Sequence, residues 1–188
     1  IDDFTEAIRL KPEHPEAYVT RGIAHGENGD LDAAIGDYTA AIRRLSREFT
    51  KAYFVHFAHG STDRLNAVIG DCAEAIRLDP ESAKAYFIRG VAHGAKGNLD
   101  AAICDFTEVI RLKPEDPEAY DLRGVAHETN FKNMGAAIDD YTEVIRLDPQ
   151  DAEAYFTRGV AHTKMGNLDA AIDDITEAIR LDPEVADT

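Results

Sequence analysis

Residues 152–183, AEAYFTRGVAHTKMGNLDAAIDDITEAIRLDP, decide the fold. In their second half, Leu168, Ala171, Ile172, Ile175, Ala178 and Ile179 fall at i, i+3, i+4, i+7, i+10 and i+11. That spacing places them on one stripe of an amphipathic helix. Asp182-Pro183 stops the helix, because proline lacks a donor and biases the residue before it away from helical angles. In the first half, Ala154, Tyr155, Ala161, His162 and Met165 share one side of a preceding helix. Gly166 supplies the left-handed residue that commonly closes such a helix before a short turn. Gly159 lacks a side chain where the two helices must approach closely, and the reading places it opposite Ala171.

The same string recurs. Copies run AKAYFIRGVAHGAKGNLDAAICDFTEVIRLKP from Ala83, PEAYDLRGVAHETNFKNMGAAIDDYTEVIRLDP from Pro117 and PEAYVTRGIAHGENGDLDAAIGDYTAAIRRL from Pro15. A more worn copy, TKAYFVHFAHGSTDRLNAVIGDCAEAIRLDP, starts at Thr50, and the opening IDDFTEAIRLKP is the second half of another unit. Tyr18, Tyr53, Tyr86, Tyr120 and Tyr155 mark the register at spacings of 35, 33, 34 and 35. A two-helix unit of this size cannot bury its apolar faces alone, whereas stacked neighbours give one continuous core. The expected class is all-α. The expected organisation of 1–188 is a half-unit at 1–14, repeats at 15–49, 83–116, 117–151 and 152–185, and a degenerate repeat at 50–82.

The period near 34, the small-residue pair and the terminal proline resemble the tetratricopeptide repeat family over nearly the whole chain. The resemblance implies a right-handed superhelical α-solenoid whose first helices line a concave, partner-binding groove. Copies that disagree predict where the array is irregular. The worn copy reads YFVHFAHG against YFIRGVAHG, a one-residue deletion that turns the rest of a helix by about 100° and shifts it about 1.5 Å. The junction before it, Arg43 to Thr50, lacks the usual proline, so the preceding helix is expected to run on. The Pro117 copy inserts a residue near Phe131-Lys132, in the interhelical turn, where insertions are tolerated. The first two full repeats are therefore expected to be the irregular part.

Bulk properties exclude several roles. A net charge of −16 repels nucleic-acid phosphates and anionic membrane surfaces. No apolar run approaches the roughly 20 residues that span a bilayer, so no membrane insertion is expected. Cys72 and Cys104 make no disulfide framework and have no metal-ligand spacing around them, which leaves the compartment open. The pattern is already under way at Ile1, so further sequence is expected before it.

Three columns recur through the copies. His25, His59, His93, His127 and His162 form one, a residue per repeat. A metal needs ligands about 2 Å from one ion, whereas equivalent positions in stacked helices lie about 8–10 Å apart or more. The histidines therefore read as packing, and neither metal nor cofactor is expected. The second column sets Arg21, Arg89, Arg123 and Arg158 against Asp37, Asp105, Asp140 and Asp174. A partly buried guanidinium needs a carboxylate, so structural ion pairs within or between repeats are expected. His56 replaces the arginine in the worn copy, so Asp71 is expected to have the weakest partner.

The third column lies beside the tyrosines: Val19 and Ile23, Phe54 and Phe57, Phe87 and Val91, Asp121 and Val125, Phe156 and Val160. In the family that this chain resembles, these positions face the groove. Members of the carboxylate-clamp type carry lysine, arginine and asparagine there, and this chain does not. An apolar groove takes an amphipathic helix or an extended apolar segment. Phe54, Phe87 and Phe156 are the candidate anchors, because aromatics dominate interface energetics. Asp121 interrupts the stripe with a charge suited to a basic group.

No phosphate-cradling loop and no nucleophile–base–orienter set stands in the sequence, so no catalytic residue is expected. The leading reading is a non-enzymatic scaffold that binds a protein or peptide partner. The alternative is head-to-tail self-assembly into an oligomer or filament, with another copy of the chain as the partner.

Overall fold

A computed structural model describes residues 1–44, 62–130 and 133–183. Among the described residues there are ten helices and no strand: α1 (Asp2–Leu10), α2 (Pro15–Glu27), α3 (Leu31–Arg43), α4 (Thr62–Leu78), α5 (Ala83–Ala95), α6 (Leu99–Leu112), α7 (Pro117–Thr129), α8 (Met134–Leu147), α9 (Ala152–Met165) and α10 (Leu168–Leu181). The deletion beside His56, the insertion at Phe131-Lys132 and residues 45–50 of the junction fall outside the described residues. α3 does not run on past the missing proline as expected: it ends at Arg43, with Arg44 as its cap.

Local chemistry sets the helix ends. Pro15 and Pro117 open α2 and α7 at the first turn, where a missing N–H costs nothing. The Asp30 carboxylate accepts from the Ala33 amide at the start of α3, and Asp151 accepts from Ala154 at the start of α9. Gly29, Gly97 and Gly166 turn the chain at φ 77–78°, the left-handed region. α10 stops at Leu181, one residue before Asp182-Pro183.

The chain forms two compact units, Ile1–Leu112 and Lys113–Thr188. In the first, α2 packs antiparallel on α3 and α5 on α6, with α4 lying against α2, α3 and α5. Its core is built from Ala34, Tyr38, Leu65, Cys72, Ala85 and Phe106, all nearly inaccessible. In the second, α7 packs on α8, α8 on α9 and α9 on α10, around Leu122, Ala126, Tyr141, Val144, Ala161 and Ala178.

One crossing is repeated four times. A Cβ on Gly90 would lie 2.9 Å from Cε1 of Phe106, and one on Gly124 would lie 2.7 Å from Cε1 of Tyr141. Gly22 meets the Tyr38 ring in the same way. The first-helix glycine is thus the seat of the second-helix aromatic. In the last repeat the neighbour of Gly159 is Ile175, at 2.9 Å, together with the Ala171 carbonyl oxygen at 3.3 Å. Ala171 thus lies opposite Gly159 as expected, with Ile175 reaching closer still. Met165, on the same side of its helix as the buried Ala154 and Ala161, is half exposed.

Candidate functional site

Each regular repeat carries one buried electrostatic assembly. Arg21 donates Nε and Nη2 to the two oxygens of Asp37 at 2.8 and 2.6 Å. Arg89 does the same to Asp105 at 3.0 and 2.7 Å, and Arg158 to Asp174 at 2.9 and 2.7 Å. Arg123 meets Asp140 at 3.0 and 2.6 Å. All four are planar fork-to-carboxylate pairs, the geometry that guanidinium supplies and lysine cannot. The carboxylates are buried and the guanidinium groups about four-fifths so. The pairs join the two helices of one repeat. The aspartate follows its arginine by 16 residues, and by 17 in the copy that carries the insertion.

The outer side of each guanidinium faces the register tyrosine. Arg21, Arg89, Arg123 and Arg158 lie 5.9, 5.5, 5.7 and 5.7 Å from the ring centres of Tyr18, Tyr86, Tyr120 and Tyr155. This contact was not read from the sequence, although the Tyr-x-x-Arg spacing shared by these four copies places both on one helix face. A third nitrogen reaches back to the previous second helix. Arg21 Nη1 donates to the Thr5 hydroxyl at 3.1 Å, and Arg158 Nη1 to the Thr142 hydroxyl at 3.0 Å. The corresponding position of α4 is Ala73, which has no hydroxyl to offer Arg89.

Asp71, the aspartate of the worn copy, accepts a hydrogen bond from the Tyr38 hydroxyl at 2.6 Å. Burial pushes its carboxyl above the ordinary aspartate range, against the lowering effect of that bond. Burial likewise raises Tyr38 far out of its usual range. His56 lies outside the described residues.

The histidines sit beside these pairs. Nε2 of His25 lies 3.9 Å from Asp37, and Nε2 of His162 lies 3.9 Å from Asp174. Burial pulls His93 and His127 below the ordinary histidine value, outweighing the pull of Asp105 and Asp140 toward the charged form. Among the described residues, no three histidine, cysteine or acidic side chains gather at metal-binding distance. His59 lies outside them.

The stripe beside the tyrosines is unevenly accessible. Val19, Val91, Asp121 and Val125 are buried, whereas Ile23, Phe87, Phe156 and Val160 are half-buried. Phe54 and Phe57 lie outside the described residues. Val19 and Val91 line a small apolar cavity of about 30 Å³ in the first unit, with Tyr38, Ile42, Leu65 and Ile88 among its other walls. Phe87 packs edge-on against Phe106, with ring centres 6.0 Å apart. In the second unit Glu128 accepts from Tyr141 at 2.9 Å and from Lys164 at 2.5 Å, bridging α7, α8 and α9. Glu128 and Lys164 do not recur in the other copies, so repetition carried no signal for that network.

Tetratricopeptide-repeat family models match residues 1–49 and 72–117, and again residues 152–185; a TPR repeat model matches 133–166. The chain belongs to the tetratricopeptide repeat family. Among curated proteins, none matches this chain. Solved structures of tetratricopeptide repeat proteins share the fold. A crystal structure of MamA is 24% identical, over 89% of this chain and 97% of that one, with a TM-score of 0.63. MamA 41-end from Desulfovibrio magneticus RS-1 is 18% identical, over 90% and 96%, with a TM-score of 0.60. YrrB, a TPR protein with an unusual peptide-binding site, is 20% identical, over 96% and 93%, with a TM-score of 0.59. The tetratricopeptide architecture thus rests on three glycine–aromatic crossings and the Gly159–Ile175 crossing, while arginine–aspartate pairs lock the same four helix pairs. No helix among the described residues is long and apolar enough to cross a membrane.

Proposed function

We propose that this tetratricopeptide repeat chain is a non-enzymatic scaffold whose first helices hold an apolar segment of a protein or peptide partner. Its working units are the repeats at 15–49, 50–82, 83–116, 117–151 and 152–185. The observation that carries the reading is the partial exposure of Ile23 and Phe87 in the first unit and of Phe156 and Val160 in the second. These side chains stand on first helices held rigid by buried ion pairs. A rigid aromatic loses little rotamer freedom on contact, so it anchors a partner at low entropic cost. YrrB, a protein of the same fold, has a peptide-binding site. The buried members of the stripe, Val19, Val91, Asp121 and Val125, support the anchors from behind.

The test is selection of binders from a displayed library of apolar and amphipathic peptides, followed by titration against Phe87→Ala and Phe156→Ala. An anchor of this kind is worth about 2 kcal/mol, or roughly thirtyfold in affinity. At least one variant is expected to lose that much while keeping its far-ultraviolet circular dichroism. Unchanged affinity in both variants would refute apolar recognition on the first helices.

A further inference from the structure

Tyr38 and Tyr141 seat on first-helix glycines in the same way, and each hydroxyl needs an acceptor. In the 117–151 repeat the acceptor is Glu128 of the same repeat, and the Lys164 ammonium neutralises that carboxylate. In the 15–49 repeat Gly26 stands at the Glu128 position and has no side chain to offer. The Tyr38 hydroxyl turns instead to Asp71 on α4, at 2.6 Å. Asp37, Asp105, Asp140 and Asp174 are each held by an arginine of their own repeat. Asp71 is half-buried and has no such cation among the described residues.

The surroundings of Asp71 are anionic. A Cβ on Gly26 would collide with both Asp71 oxygens, so the carboxylate rests on the last turn of α2. The aligned peptide dipoles make that end of a helix negative, and Glu27 of α2 adds its own charge. From α3 come the Tyr38 hydroxyl and Asp37, the latter already paired with Arg21 and beside His25 of α2. Cys72 is the neighbour on α4 itself, and Arg89 of α5 acts on Cys72 while bound to Asp105. Burial outweighs the lowering effect of the Tyr38 bond, and Glu27 adds to it, so the Asp71 carboxyl titrates above its ordinary value.

We infer that Asp71 is a proton-operated latch, which fastens α4 to α2 and α3 while its carboxyl is neutral and loosens that contact once the carboxyl is charged. The arginine-bound aspartates lock the two helices of one repeat, whereas Asp71 joins the second helix of the worn repeat to the repeat before it. α4 contacts both α2 and α5, which carry Ile23 and Phe87. Regulation of partner binding by the latch rests on the first-helix reading above; the latch itself does not. A carboxyl raised in the folded state contributes stability that is full below its ordinary value of 3.8 and is lost as pH rises through the folded value. His93 and His127 act in the opposite sense, so the effect is read as a difference between variants.

The test is amide hydrogen exchange of residues 62–78 in the whole chain from about pH 4 to about pH 7, corrected for intrinsic exchange. Wild type is compared with Asp71→Asn, Tyr38→Phe and His56→Gln. Asp71→Asn, a neutral isostere, should match wild type near the acid end and protect 62–78 roughly fivefold better at the neutral end. Tyr38→Phe removes the bond that lowers the Asp71 carboxyl, so the midpoint of the response should move to higher pH, which loss of a merely structural contact would not cause. His56→Gln should leave the response in place. The inference is overturned if Asp71→Asn exchanges like wild type throughout, or faster at the neutral end. It is equally overturned if Tyr38→Phe leaves the midpoint where it was, or if His56→Gln removes the response.

Discussion

In an Arg158→Met variant, Asp174 would keep its buried carboxylate and lose both charged hydrogen bonds, at 2.9 and 2.7 Å. The Asp174 side chain is only 9% exposed, so water cannot replace them. Removing one partner of a buried pair costs about 3–5 kcal/mol. The Arg158 side chain is 18% exposed, and some solvent enters where it stood, which points to the lower end. The bond to Thr142 adds little, because that exposed hydroxyl finds water. The expected loss is therefore about 3 kcal/mol, a fall of roughly 6–12 °C in Tm for a chain of this length. Joined with Asp174→Leu, the same change removes the stranded charge and should recover most of the loss. The assay is urea unfolding by circular dichroism on the wild type, both single variants and the double, fitted with a nearest-neighbour repeat model. The reasoning is refuted if Arg158→Met lies within about 0.5 kcal/mol of wild type, the ordinary scatter for surface changes. It is equally refuted if the double variant is no better than the single.

Gly36→Ala and Gly70→Ala, in open helical positions, should each stabilise by about 0.5–1 kcal/mol, whereas Gly124→Ala should destabilise by about 1–3 kcal/mol because its methyl meets the Tyr141 ring. Thermal melts of the three variants check the opposite signs. His93 and His127 titrate below their ordinary value of 6.5, so the unfolded chain binds more protons as pH falls through that value. Stability should therefore be full above about 6.5 and decline below it; replacing both histidines with glutamine should flatten the profile measured by urea midpoints. Cys104 is exposed, while Cys72 is buried with its thiol pushed above the ordinary range. A disulfide reagent should titrate one thiol in the native protein and two in denaturant.

Helix type, repeat period and helix ends were legible because they depend on nearest neighbours along the chain. The apolar spacing of 168–179, the stop at Asp182-Pro183 and the turn at Gly166 are local effects of periodicity and backbone angle. The all-helical class followed from them, and repetition carried that reading from one unit to the others. Partner choice was less legible. Arg158 stands 16 residues from both Asp174 and Thr142, and only the packed helices show one guanidinium serving both, within and between repeats. The tyrosine over each arginine and the Tyr38–Asp71 bond are likewise consequences of crossing geometry. Accessibility was the quantity least available from sequence. Val160 and Val125 occupy one column, yet one is half-buried and the other buried. Ile138 and Ile172 occupy another, with one half-buried and the other 63% exposed. Identical residues at equivalent positions differ there because exposure belongs to whatever packs against a face, and that is a property of three-dimensional neighbours rather than of the chain's own period.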